Sequence, residues 1–161
     1  MDLLAADPRT VFLGQAIAYP GTAQSGTLKN VPAERKLELP VAEDMQMGLS
    51  IGLALAGRIP VTLYPRWNFL LLAANQLVNH LDKLPLISGW KPKAIVRVGV
   101  GADRPMHPGH QHLGDYTTAF EAMLETIAIV RLNHASKVVP EYRKALAREG
   151  STILVEYSAL Y

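Results

Sequence analysis

Glu43-Asp44-Met45-Gln46-Met47-Gly48-Leu49-Ser50-Ile51-Gly52-Leu53-Ala54-Leu55-Ala56-Gly57 runs through Arg58 into Ile59-Pro60-Val61-Thr62-Leu63-Tyr64. The first segment reads as a helix with two carboxylates in its opening turn and a glycine at its stop. The second is a β-rich run without alternation, the pattern of a strand buried on both faces. The same succession continues in both directions. Further strands are expected at Thr10–Gly14, 37–39, 93–98, 127–132 and Thr152–Tyr157. Further helices are expected at 67–84, 116–124 and 140–149, the last with Pro140 at its start and Gly150 at its stop. About six strands alternating with helices define an α/β domain, with a mainly parallel sheet and helices on both faces.

With 161 residues the chain fits a single domain with a sizeable core, and 49% hydrophobic against 19% charged residues excludes general disorder. A net charge of +2, from 16 basic and 14 acidic residues, offers no nucleic-acid footprint. Without cysteine there is no disulfide, thiolate nucleophile or cysteine zinc site. Residues 1–6 do not form a signal peptide, and the densest apolar stretch, 69–81, is broken by Asn75, Gln76, Asn79 and His80. That stretch is also shorter than the roughly 20 residues a bilayer span needs. The expectation is a cytoplasmic protein with no nucleic-acid and no membrane partner.

Two stretches stand apart from the scaffold. Residues 16–32 are rich in Gly, Thr, Ser and Gln and are expected to bury little. Residues 99–114 hold four glycines, two prolines and three histidines, directly after an expected strand. Ligands in open α/β sheets bind beyond the carboxyl ends of strands, so this long loop is the stronger functional candidate.

Glu43 has two readings. With Asp44 it complements the helix macrodipole, or it is a working carboxylate. The small residues that follow it (Gly48, Ser50, Gly52, Ala54 and Ala56) imply close approach of the sheet, a cofactor or another chain, because interior glycines cost about 1 kcal/mol each. The segment His107-Pro108-Gly109-His110-Gln111-His112 has three readings: a substrate-facing histidine, a metal site drawing on His110, His112, Asp103 and Asp115, or a solvated loop. Trp67 is either a core residue at a helix start or a flat surface for a heterocycle. His80 and His134 are isolated, and the polar stripe Asn68, Asn75, Gln76 and Asn79 suits a solvated face or a partner.

A resemblance joins these pieces. Ala42-Glu43-Asp44 and the helix after it resemble the Ala-Glu-Gln or Ser-Glu-Gln helix of the transketolase and 2-oxoacid dehydrogenase families. Asp7-Pro8-Arg9-Thr10-Val11-Phe12-Leu13-Gly14 is similar to the opening strand of the beta subunit of the decarboxylating dehydrogenase component. Pro32-Ala33-Glu34-Arg35 resembles the segment leading to that subunit's glutamate. Trp67-Asn68-Phe69 with Asn75-Gln76-Leu77-Val78-Asn79 resembles its Phe-Asn-Phe segment and Asp-Gln-(Ile/Val)-(Ile/Val)-Asn helix. Gly109-His110-Gln111-His112 resembles its histidine loop, and Thr152 to Tyr161 its closing strand. The likeness covers nearly the whole chain in the right order.

What the resemblance implies is a pyrimidine-binding domain for thiamine diphosphate over residues 1–161. Glu43 would hydrogen-bond the aminopyrimidine ring nitrogen and so promote loss of the thiazolium proton. Such a glutamate must be withdrawn from water. Trp67 would lie beside the aminopyrimidine. The substrate-facing histidine would be His112 by likeness to the dehydrogenase subunits, or His107 by likeness to transketolases. Arg66 has no counterpart in that pattern. The Gly-Asp-Gly segment and later asparagine that hold magnesium and diphosphate are missing, as is a C-terminal transketolase domain.

The resemblance therefore implies a split enzyme. A diphosphate-binding, alpha-type subunit would hold the Mg2+, in a two-plus-two heterotetramer acting on a 2-oxo acid or a ketose. Alone, the chain would form a homodimer by the same resemblance, and the other function classes are a non-catalytic assembly subunit and a histidine-loop metal enzyme.

Overall fold

The computed structural model describes residues 1–19, 23–101 and 107–160. Its strands are β1 (Thr10–Gly14), β2 (Lys36–Glu38), β3 (Ile59–Tyr64), β4 (Ile95–Val100), β5 (Ala128–Leu132) and β6 (Thr152–Tyr157). They form one six-stranded sheet in the order β2-β1-β3-β4-β6-β5, with every neighbouring pair parallel. Parallel pairing demands a crossover between successive strands, and helices supply most of them.

Side chains alternate across the sheet and feed two cores. Val96, Val98, Ile153 and Val155 face α3 (Glu43–Leu55), α4 (Trp67–Leu72) and α6 (Thr117–Met123), through Met47, Ile51, Trp67, Leu70 and Phe120. Phe12, Val61, Ile95 and Leu154 face the other way, against Leu4 of α1 (Asp2–Ala5) and Tyr142 and Ala145 of α7 (Ala135–Ala147). Both faces are covered, so the strands need no polar side, as their unalternating sequences indicated.

Several sequence expectations need correction. The single helix at 67–84 is instead three pieces: α4, a wide π-helical turn at Gln76–Leu81, and α5 (Leu84–Ser88). The cause lies at the end of the wide turn, where the Asp82 amide reaches back five residues to the Leu77 carbonyl. Leu81 and Asp82 are both buried, and the Asp82 carboxylate accepts the backbone N–H groups of Glu125, Thr126 and Ile127. That anchorage holds the break.

The helix expected at 140–149 begins at Ala135 and ends at Ala147, with Pro140 inside it. Pro140 forfeits one backbone bond there. Val138, Tyr142 and Ala145, spaced four and three residues apart, pack one stripe onto the sheet and offset that loss. β2 starts one residue earlier than expected, and β4 is displaced two residues toward Val100.

The polar stretch at 16–32 also buries more than its composition suggested, since Ile17, Leu28 and Val31 enter the core. Between them lies the short α2 (Ala23–Gly26). Finally, of α3's small residues Ser50 and Ala54 are buried, whereas the interior glycines meet no close backbone among the described residues. A Cβ on Gly52 would find open space, and one on Gly48 only ordinary contact with Gln76.

Candidate functional site

In this strand order β2 lies on one side of β1 and β3 on the other, so the connections diverge between β1 and β3. The crevice beyond the carboxyl ends at such a reversal is the usual ligand site of an open parallel sheet. Glu43 stands there. The residue is 3% exposed, and its Oε1 accepts the side-chain amide of Gln15, just beyond β1, at 2.8 Å. The phenol of Tyr64, the last residue of β3, donates to the Glu43 backbone carbonyl at 3.2 Å. Burial pushes that phenol well above its ordinary value, which keeps it a donor.

The first turn of α3 is fixed from below as well. The Gln46 side-chain amide donates to Thr62 Oγ1 at 2.8 Å and to the Leu63 carbonyl at 2.9 Å. Gly14 keeps the ends of β1 and β3 close, since a Cβ at that position would lie 2.7 Å from the Leu63 carbonyl oxygen. The Gln15 backbone is shaped by Glu38 at the end of β2. Its carboxylate accepts the N–H groups of Ala16, Ile17 and Ala18 at 2.6, 2.9 and 2.8 Å, and Ala16 takes a left-handed φ of 53°. Glu43 Oε2 has no partner among the described residues and is not sealed from solvent. The crevice thus presents one clamped and one open carboxylate oxygen.

The histidine loop leaves β4 nearby. His112 ends a short turn at His110–His112, is half-buried, and stacks on Phe69 of α4 with ring centroids 5.6 Å apart. Its Nδ1 is enclosed without a partner among the described residues. His107 is exposed, accepts the Gly109 N–H on Nδ1 at 3.0 Å, and lies edge-on to His110. Pro105 and Met106, which directly precede His107, and Asp103 of the metal reading lie outside the described residues. Among the described residues no group of three or more His, Asp or Glu side chains could hold a metal ion.

Trp67 is wholly buried, with its ring stacked on Phe120 at 4.9 Å, so it fills the core at the start of α4. The aromatic ring that meets the histidine loop is Phe69, two residues further on. Gln15, Gln46, Tyr64 and Phe69 escaped the sequence reading as site residues. A glutamine directly after a strand-ending glycine was the one signal that could have marked Gln15.

No family model matches the chain. The pyruvate dehydrogenase E1 component subunit beta of Staurastrum punctulatum is 27% identical over 161 aligned residues, covering 96% of this chain and 48% of that protein. The 3-methyl-2-oxobutanoate dehydrogenase subunit beta of Mycobacterium tuberculosis is 34% identical over 85 residues, which are 51% of this chain and 24% of that protein. A split gene transketolase, solved as an inactive beta4 tetramer, superposes with a TM-score of 0.75 at 18% identity, over 97% of this chain and 47% of the other. The chain spans about half the length, or less, of the curated relatives it matches.

The molecule is an α/β domain of the transketolase-like fold. Its homologues are 2-oxoacid dehydrogenase E1 beta subunits, in line with the pyrimidine-binding domain of thiamine-diphosphate-dependent enzymes. Among the described residues, no helix is long and apolar enough to cross a membrane.

Proposed function

We propose that the chain is the pyrimidine-binding part of a thiamine-diphosphate enzyme whose site is completed by a diphosphate-binding, alpha-type subunit. The observation that carries this reading is Glu43. A glutamate 3% exposed, with Oε1 clamped by Gln15 and Oε2 open at the β1/β3 crevice, fits a ring nitrogen that must share a proton. When bound, thiamine diphosphate supplies an electron sink for cleaving a carbon–carbon bond next to a carbonyl.

The chain's own groups then have distinct tasks. Glu43 Oε2 holds a proton against the aminopyrimidine, and burial strengthens that contact by excluding water. Gln15 fixes which oxygen is offered. His112, backed by Phe69, faces the substrate and moves a proton near the reacting carbon, and His107 is the alternative in that role. Trp67 acts from behind, packing the start of the helix that carries Phe69. The substrate is a 2-oxo acid or a ketose, and Mg2+ belongs to the partner.

An uncovered apolar surface supports the partner. Met45, Leu49 and Leu55 on α3, Leu72 at the end of α4, and Ile87 on α5 are exposed, the last at 77%. A groove of about 270 Å³ between Gly48, Ile51 and Leu55 on one side and Gln76, His80 and Ile87 on the other runs through that surface. Large apolar faces of this kind suit an obligate interface, here in a two-plus-two heterotetramer in the cytoplasm.

The test is Glu43→Gln in the reconstituted complex. Glutamine can still accept from Gln15, so assembly should persist while turnover falls about a hundredfold or more. Unchanged turnover would instead point to the non-catalytic assembly reading.

A further inference from the structure

Arg66 sits between the end of β3 and the start of α4, half-buried beneath the histidine loop. Its Nη1 makes one long hydrogen bond, 3.4 Å to the His112 carbonyl. Residue 101 makes room for it. A Cβ on Gly101 would lie 2.4 Å from Nη1 and 2.7 Å from that same carbonyl oxygen, so only glycine lets the guanidinium enter. Among the described residues no carboxylate pairs with Arg66, and its Nε and Nη2 have no acceptor yet are not sealed from solvent. Among the described residues, Arg35 and Arg97 are by contrast spoken for, the first by backbone carbonyls and the second by a carboxylate.

A half-buried guanidinium without a counter-charge is costly to keep unless something supplies the charge. The open edge, Nε with Nη2, is the planar fork that matches two oxygens of a carboxylate or phosphate. The His112 whose carbonyl Arg66 meets stacks its ring on Phe69, on the loop that leaves β4, and β4 pairs with β3, whose last residue Tyr64 bonds the Glu43 backbone. We propose that Arg66 receives the anionic group of the substrate, a carboxylate or phosphate oxyanion, on its Nε–Nη2 edge. This rests on the reading of the crevice as a thiamine-diphosphate site, and it makes Arg66 a specificity residue of that site. A 2-oxo acid would bring the carboxylate, and a phosphorylated ketose the phosphate.

The test is NMR on the full chain, following the Arg66 Nε–H and His112 ring signals while pyruvate, inorganic phosphate or uncharged acetone is added. A saturable shift with pyruvate alone assigns the carboxylate. One with phosphate assigns the phosphate, and acetone should produce none. In Arg66→Gln the His112 response should weaken about tenfold or more, and Arg66→Lys should keep part of it because it holds the charge without the fork. No saturable shift with either anion, or an unchanged His112 response in Arg66→Gln, overturns the proposal.

A merely structural Arg66 would move the His112 signals in Arg66→Gln before any anion is added, with no anion dependence in the wild type. Thiamine diphosphate binding by the wild-type chain mixed with its partner separates the two readings. Cofactor bound without an anion response defeats the role of Arg66 alone. No cofactor binding defeats the proposed function, while the anion titration still judges Arg66.

Discussion

The Gln15 side-chain amide donates to Glu43 Oε1 over 2.8 Å and ties the end of β1 to the first turn of α3. The bond joins residues 28 positions apart across the crevice between β1 and β3. It also decides which carboxylate oxygen stays open.

Gln15→Ala should therefore leave the fold intact and disorder the offered oxygen. Thiamine diphosphate affinity of the complex should fall by about tenfold, roughly the 1.4 kcal/mol of one hydrogen bond to a charged group. Glu38→Ala should act further back, by freeing the N–H groups of Ala16, Ile17 and Ala18. Amide exchange at those three positions should accelerate, with little change in β3 or β4. Unaltered exchange would mean that the Glu38 carboxylate does not shape that turn.

Asp82 is a stability prediction with a sign. Burial works against its charged form, yet the N–H groups of Thr126, Glu125 and Ile127 and the Lys83 ammonium outweigh it and hold the carboxyl below its ordinary value of 3.8. A depressed folded-state pKa means that the stabilisation is fully present above the unfolded value. It is lost as pH falls from about 3.8 through the lower folded value. Asp82→Ala should cost about 3 kcal/mol near neutral pH, because three N–H groups, that of Ile127 buried and those of Glu125 and Thr126 part-buried, lose their acceptor, and should flatten the acid limb of a stability–pH curve. Urea titrations between pH 2 and 7 measure both, with the window set by that shift.

The fold was legible where hydrophobic pattern alone decides it. β1, β3 and β6 occupy the residues their β-rich runs marked, because a strand covered on both faces leaves an uninterrupted apolar signature. Helix limits were legible only where local chemistry sets them. Nothing near residue 135 announces α7, whose first residue follows His134 without a side-chain cap. The break at Gln76–Leu81 depends on Asp82 meeting N–H groups some 43 to 45 positions away, which no local pattern carries. Glu43 was legible through its surroundings in sequence, whereas Gln15 and Phe69 acquire meaning only from pairings across the sheet ends.

The pair Arg97–Glu156 tests the opposite core. Arg97 on β4 donates from Nε and Nη2 to the Glu156 carboxylate on β6 at 2.7 and 2.9 Å, with both side chains almost wholly buried. Tyr142 of α7 donates to the same carboxylate. Arg97→Met should destabilise by about 3–5 kcal/mol because it strands a buried carboxylate, and the double variant Arg97→Met/Glu156→Leu should recover part of that loss. Additive losses in thermal unfolding would contradict the coupling.

The apolar face predicts assembly rather than folding. Leu72→Glu and Ile87→Glu sit at 64% and 77% exposure, so each should alter the chain's own stability by no more than about 0.5 kcal/mol. Both should weaken association with the partner subunit, measured by sedimentation of the mixture. Full association of the double variant would place the interface elsewhere.

In the proposed function this chain supplies half of a thiamine-diphosphate site. Calorimetry with thiamine diphosphate and magnesium checks this, on the chain alone and then on its mixture with a diphosphate-binding, alpha-type subunit. The expected result is no binding by the chain alone and tight binding by the mixture, lost or weakened in Glu43→Gln. Tight binding by the isolated chain, or binding by the mixture that is indifferent to Glu43, would contradict it.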